Sequence, residues 1–409
     1  MSGLIQLLFQ GFGASDLITG VLCGTLPSAI GAVVVPAISF YSDRHRGRWG
    51  RRIPYLLVTA PVAALAMVGM AGSAPLGRSL NEALGGNAPS ANVSILIFFG
   101  IFWTIFQFAA FTANAVFGGL VNDVVPTLLL GRFFGLFRAL SLIAGMIFSY
   151  WLFGKAEANY DWVFIGIGAL YFGGFSMMCL KVKEGTYPPR PVNSTSNNTG
   201  RGAVRLYLEE CFSNSYYRWI YVAIAASSVM SFPVDLFGAF FAQSLQVDMG
   251  AYGKYLALTY VISLCLSYFI GALADRYHPL RMGMAAMALY AANALWSAFF
   301  VTGPRTFAIA FVAHGVISGS FFTATASIGQ RLFPVSRFAQ FASAAALFVS
   351  VAIMIIAPAV GRFLDFSGHV YRYSFLVGFG LAVFALLASI EVNRRFVRLG
   401  GANAYVAPE

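Results

Sequence analysis

The stretch VSILIFFGIFWTIFQFAAFTANAVF, from Val93 to Phe117, carries no charged residue and is long enough as a helix to cross the roughly 30 Å hydrocarbon core of a bilayer. Ten further runs are of comparable length and free of long charged stretches. They lie near Leu17 to Phe40, Pro54 to Gly72, Phe133 to Phe153, Trp162 to Leu180, Tyr217 to Gln243, Tyr252 to Leu273, Met282 to Val301, Thr306 to Ile328, Phe338 to Val360 and Tyr373 to Ile390. Of the 409 residues, 59% are hydrophobic and only 10% charged, against about 25% charged in soluble proteins. In lipid every backbone N–H and C=O must be bonded internally, which for runs of this length means helix. A twelfth run, Met1 to Phe12, is about two turns short of a crossing and reads as a truncated first helix. No basic residue precedes it, so a signal peptide is not expected.

The net charge of +11 raises the question of nucleic acid, and the placement of the basic residues answers it. They alternate by loop. Arg44, Arg46, Arg48, Arg51 and Arg52 fall on one side, with the groups at 132–138, 181–218, 276–281, 331–337 and 394–398, which together hold twenty of the 26 lysines and arginines. Such asymmetry assigns those loops and the C-terminus to the cytoplasm and makes the basicity topological, with no nucleic-acid role expected. Cys23, Cys179, Cys211 and Cys265 show no C-x-x-C pair, so neither a disulfide framework nor a metal or other cofactor site is indicated.

Composition turns polar between Lys181 and Tyr216, with Pro188, Pro189, Pro191 and an Asn/Ser/Thr/Gly run, which reads as a linker. Ala203 to Phe212 is a candidate surface helix within it. Two landmarks recur on either side. One is a charged loop, Ser42-Asp43-Arg44 continuing to Gly50-Arg51-Arg52-Ile53-Pro54, against Ala274-Asp275-Arg276. The other is Pro126 with Gly131-Arg132-Phe133, against Pro334 with Ala339-Gln340-Phe341 at the same offsets. The expected architecture is an all-α polytopic membrane protein of twelve transmembrane helices in two pseudo-symmetric six-helix bundles. Its boundaries are 1–180 and 217–392 for the bundles, 181–216 for a cytoplasmic linker and 393–409 for a cytoplasmic tail. The stretch Ser73 to Asn92, which the second half lacks, reads as an outside loop.

The Ser42-Asp43-Arg44 to Pro54 stretch resembles the loop between the second and third helices of major facilitator superfamily transporters. Its G-R-R-x-P ending is most similar to the sugar-cation symporter branch, which includes plant sucrose carriers and melibiose carriers. The resemblance implies a gating loop formed by Asp43, Arg44, Gly50, Arg51 and Arg52, with Asp275 and Arg276 in the second copy. A carboxylate at a helix end beside arginines can make charge-assisted hydrogen bonds that differ between two states. Melibiose-type carriers hold their cation with acidic residues in helices two and four, yet Leu17 to Phe40 and Val93 to Phe117 contain none. A sodium site of that design is therefore not expected, which leaves a proton or no coupling ion.

Ionisable residues deep in a span default to functional hypotheses. Asp235, beside Pro233 in the seventh helix, and His314 in the tenth sit at similar estimated depths, and the resemblance implies that both helices line a central cavity. They are the proton-coupling candidates. Trp103, Gln107 and Asn114 share one face of the fourth helix, and His314, Ser318 and Thr325 repeat those offsets on the tenth. A polar face toward lipid is penalised, so Trp103, Gln107, Asn114, Ser318 and Thr325 are the substrate-binding candidates. His45, His278, His314 and His369 are scattered without metal-ligand or nucleophile spacing, which argues against an enzyme. The reading is a secondary transporter of a small polar solute, a sugar or glycoside, in a cell membrane. An exporter of the same fold and a non-transporting sensor are the alternatives.

Overall fold

The computed structural model describes residues 2–45, 47, 49–85, 89–126, 129–184, 207, 209–334 and 337–408. Among them, eleven helical stretches are long and apolar enough to cross a membrane: Asp16–Ser42, Ile53–Ala71, Ala91–Val121, Leu136–Ala156, Tyr160–Lys181, Ser215–Ser244, Met249–Tyr277, Pro279–Phe300, Pro304–Leu332, Gln340–Phe366 and Tyr373–Arg398. Each corresponds to one run expected from sequence. The chain divides into two compact units, Met1–Ser141 with Lys155–Val192 and Leu142–Gly154 with Asn193–Glu409. Most of the linker, with its prolines and its Asn/Ser/Thr/Gly run, lies outside the described residues.

In the first unit, the short run forms α1 (Ser2–Gly11), which buries Leu4, Ile5, Leu7, Leu8 and Phe9. Phe9 meets Phe99 edge-on at 5.1 Å. The next span is interrupted: α2 (Asp16–Gly20), a π-helical turn (Val21–Thr25) and α3 (Leu26–Arg44) follow one another without leaving the helix axis. Then come α4 (Ile53–Ala71), α5 (Ser73–Leu84) and α6 (Ala91–Val124). The stretch expected to be an outside loop is therefore largely helix. Gly77 lets α5 lie close on α6, since a Cβ there would sit 2.8 Å from the backbone nitrogen of Ile95. Asn81 ties the pair by donating to the Pro89 carbonyl (2.8 Å) and accepting from Ser94.

The fifth span comprises α7 (Leu130–Ile147), a π-helical turn (Phe148–Leu152) and α8 (Phe153–Ala156); α9 (Tyr160–Lys181) closes the half. Residues 142–154 group with the second unit, a departure from the boundary at 180. Glycines explain it. A Cβ on Gly253 would lie 2.2 Å from the Ser149 carbonyl, and one on Gly154 would lie 2.6 Å from the Cα of Gly250, so backbones touch where side chains would otherwise hold them apart.

The second unit continues with α10 (Ser215–Val229), α11 (Phe232–Ser244), α12 (Met249–Tyr277), α13 (Pro279–Phe300) and α14 (Pro304–Thr325). After them come α15 (Ile328–Leu332), α16 (Phe338–Phe366) and α17 (Tyr373–Arg398). The break between α10 and α11 falls beside Pro233, which sits in the first turn of α11 and lacks the N–H that would continue the ladder. Helix α17 runs past the expected boundary at 392. Arg395 there bonds both Glu391 (Nε to Oε1, 2.8 Å) one turn earlier and Ser215 Oγ (2.8 Å). Tyr207 and Glu209 to Phe212 are helical, in line with the surface helix read from sequence, and Glu210 accepts from Gln340 (2.7 Å).

Candidate functional site

Two polar clusters stand out, one in each unit. The first is built on the loop between α3 and α4. Gly50 has φ +96, and a Cβ on it would lie 2.4 Å from the carboxyl carbon of Glu184. Glycine is therefore required for conformation and for space alike. Through that gap Glu184 reaches the start of α4: Oε2 accepts from the Arg51 N–H, and Oε1 from those of Arg52 and Ile53, all at 2.8 Å. These are donors that a helix N-terminus leaves unpaired, and a carboxylate there also meets the positive end of the helix dipole.

The arginine side chains turn the other way, to Asp123 near the end of α6. Arg51 Nε bonds Oδ2 at 2.9 Å while its Nη2 bonds Oδ1, a two-pronged pair; Arg52 Nε reaches Oδ2 at 3.2 Å and its Nη1 donates to Ser42 Oγ at 2.7 Å. Gly119 makes room for the Arg52 guanidinium, whose carbon would lie 2.5 Å from a Cβ at that position. Burial works against ionisation of Asp123, but hydrogen bonds and charge from the two arginines outweigh it and hold its pKa below the ordinary 3.8. The carboxylates that organise this loop are thus Asp123 and Glu184. The side chains of Asp43 and Arg44 lie outside the described residues, so the gating role read for them rests on the resemblance.

In the second unit, Asp275 forms an ion pair with Arg331 (2.8 Å), and Arg276 lies over the Tyr277 ring at 5.4 Å. Arg331 stands 208 residues after Asp123, the same spacing as Pro334 after Pro126. The two halves therefore place opposite charges at one repeat position, each paired within its own half. The second pair is solvated, with Asp275 76% exposed, and contributes about 0–1 kcal/mol.

We expect Gly50→Ala to displace Glu184 from the α4 amides, lowering the midpoint of thermal unfolding by several degrees, whereas Gly118→Ala, with open space at its Cβ, leaves it unchanged. Equal midpoints for the two variants would show that the glycine is not needed for this contact.

The second cluster joins the two proton-coupling candidates. Asp235 sits in the first turn of α11, just past the break, and His314 sits on α14; His314 Nε2 and Asp235 Oδ1 are 3.1 Å apart. The imidazole side chain is 2% exposed and the carboxylate 57%. A third member, Tyr290 of α13, was not singled out by sequence. Its hydroxyl lies 3.0 Å from His314 Nδ1, and its ring is fully buried. Phe311 (5.9 Å) and Phe375 (6.1 Å) flank the imidazole. The result is a chain of three polar groups on three helices, open at the carboxylate and closed at the phenol.

The substrate-binding candidates are dispersed. Trp103 is 9% exposed, stacked on Phe106 at 5.7 Å, and its Nε1 donates to the Leu22 carbonyl (2.8 Å) in the π-helical turn of the second span. Gln107 is half-buried and Asn114 exposed. Ser318 donates to the Gly315 carbonyl (3.2 Å) and Thr325 to that of Phe321 (2.8 Å), so each hydroxyl keeps acceptor capacity. Thr325 also lines a cavity of about 210 Å³ within the second unit, with Ser227, Met287 and Ser389. Asp16, one residue before the first expected run, proves to be a buried carboxylate at 2% exposure.

Comparison with known proteins agrees with this architecture. The chain aligns over 81 residues at 37% identity with the sucrose transport protein SUT1 of Oryza sativa subsp. japonica, and that stretch covers 19% of the chain and only 14% of the rice protein. Among solved structures, an inward-facing, unoccupied bacterial homolog to the human lysosomal transporter Spinster superposes with a TM-score of 0.70 at 14% identity, covering 100% of this chain and 94% of that one. The inward-open xylose transporter XylE from E. coli superposes with a TM-score of 0.65 at 12% identity, covering 95% and 93%. At such identities the likeness is one of fold. Residues 16–361 match the model of the MFS/sugar transport protein family, and with a match over most of its length this multi-pass membrane chain belongs to that family of transporters.

Proposed function

We propose that the chain carries a sugar or glycoside across a cell membrane by alternating access, coupled to protons through Asp235 and His314. The single observation that carries the coupling is the 3.1 Å contact between a half-exposed carboxylate and a buried imidazole on two different membrane helices. Paired ionisable groups at membrane depth are costly and are characteristic of proton pathways. The family match and the sucrose-transporter alignment support a sugar as the solute. Hydroxyl recognition is assigned to Gln107, Asn114, Ser318 and Thr325, whose amides and hydroxyls both donate and accept, while Trp103, packed on Phe9 and Phe106, supports the face that carries Gln107. The latch of Arg51, Arg52 and Asp123, with Asp43, Arg44, Asp275 and Arg276, is assigned to gating.

The decisive experiment is uptake in proteoliposomes against a panel of mono- and disaccharides, with and without an imposed pH gradient. Sugar accumulation that needs the gradient supports the proposal. Uptake indifferent to every sugar removes the substrate, and accumulation indifferent to pH removes the coupling. The positive-inside arrangement further predicts that the linker and the C-terminus share the cytoplasmic face. Reporter fusions reading them on opposite faces would contradict it.

A further inference from the structure

The coupling proposal leaves open which of the two groups takes the proton, and Tyr290 bears on that choice. Its hydroxyl is fully buried and its partner is His314 Nδ1 at 3.0 Å. A phenol in such a place must donate, because a buried donor without an acceptor costs about 1–3 kcal/mol. If it donates to Nδ1, that nitrogen carries a lone pair and the single imidazole proton sits on Nε2. Nε2 then donates to Asp235 Oδ1, 3.1 Å away. Both contacts are satisfied in one arrangement, with His314 neutral and Asp235 accepting.

Placing a second proton on the imidazole would require Nδ1–H to donate to the phenol oxygen and the phenol proton to leave its acceptor. The phenol is closely surrounded: a Cβ on Gly378 of α17 would meet its hydroxyl at 3.4 Å, an ordinary van der Waals contact, and the Met230 carbonyl at the helix break at a tighter 3.1 Å. Among the described residues, the ionisable groups in contact with the imidazole are Asp235 from α11 and Tyr290 from α13; Tyr252 of α12 packs on Phe311 at 4.8 Å and lies in the field of Asp235 and Tyr260. Helix α17 presents Phe375 and α14 itself Phe311.

We infer that Tyr290 is a positioning residue that locks His314 in its neutral, Nε2–H form, and that Asp235 is thereby the group that loads and releases the transported proton. Loading converts the Asp235 carboxylate to a neutral acid on its open side; the imidazole keeps one proton on Nε2 throughout and continues to donate to Oδ1. Release reverses the step, and no other atom changes its proton count. This assignment rests on the coupling role proposed above for the same pair.

The test is a pH titration of the full chain in liposomes, followed by infrared difference spectroscopy and by uptake. In the wild type the carbonyl stretch of a protonated carboxylic acid should appear as pH falls and vanish in Asp235→Asn. No imidazolium signal sensitive to His314→Gln should accompany it. Tyr290→Phe should produce that imidazolium signal and move the midpoint of the uptake profile by about one pH unit. An imidazolium signal in the wild type, or a Tyr290→Phe titration like that of the wild type, overturns the assignment. Should Tyr290→Phe fail to assemble, the wild-type spectra decide alone. An Asp235→Asn protein that still accumulates sugar would defeat the coupling role itself and this assignment with it. Loss of accumulation in Asp235→Asn, beside an unaltered Tyr290→Phe, defeats the assignment only.

Discussion

Liposomes carrying Asp235→Asn should lose pH-driven accumulation while retaining exchange of labelled for unlabelled sugar. With one proton moved per solute, each unit of pH gradient can sustain about a tenfold accumulation, and the variant should fall to about onefold at any gradient. The reason lies in what the amide preserves and what it removes. Asparagine keeps the shape at the head of α11 and can still accept from His314 Nε2, so the break in the seventh span and the packing around it remain. It cannot take up a proton, so the two ends of the cycle no longer differ in protonation, and a gradient has nothing to act on. Exchange moves no net proton and survives. His314→Ala should act differently, shifting the pH profile without abolishing accumulation, because the carboxylate stays while its donor is lost. Measuring uptake in each single variant and in the double, with and without a pH gradient, separates these cases. Wild-type accumulation by Asp235→Asn would make the residue structural.

Much of this architecture was legible in the sequence because the bilayer imposes long-range uniformity on each segment. Length and charge placement sufficed for all eleven spans, since an apolar run of helix-crossing length with few charges has few alternatives. The pairing of Asp235 with His314 was also within reach, because only costly residues stand out in an apolar helix. Three other features were hidden for physical reasons. Tyr290 looks like one aromatic among many, and its role comes only from the 3.0 Å contact with His314 on the neighbouring helix. Glu184 follows the sixth span by a few residues, and nothing local says that it caps α4, whose amides lie more than a hundred residues away in sequence. Residues 142–154 group with the second unit through glycine contacts that a hydropathy profile cannot register. Asp123 had a signal that could have been used. It precedes Pro126 by the same interval by which Arg331 precedes Pro334, so a position-by-position comparison of the halves exposes the inverted charge.

Asp123→Asn should cost the first unit a large share of its stability. Two guanidiniums converge on this carboxylate, and the side chains are enclosed: 8% exposed for Arg52, 13% for Asp123 and 19% for Arg51. Removing one partner leaves charge without compensation; a fully buried pair costs about 3–5 kcal/mol when broken, an upper bound for this partly enclosed one, whereas the open Asp275–Arg331 pair should give up no more than about 1 kcal/mol when Asp275→Asn is made. The variant should therefore unfold at a clearly lower temperature in detergent, with the loop between α3 and α4 released first, while Asp275→Asn stays near the wild type. The pH dependence carries a definite sign. Because Asp123 titrates below the ordinary 3.8, its contribution is complete at neutral pH and is lost as the solution is acidified through and below that value, so wild type and variant should converge in stability only there. Glu184 still holds the amides of Arg51, Arg52 and Ile53 in the variant, so the loop is loosened at its side chains before its backbone. A double-mutant cycle with Arg52→Gln isolates the pair: a coupling near zero, or an Asp123→Asn protein as stable as Asp275→Asn at neutral pH, would mean that these arginines are held by their neighbours and not by the carboxylate.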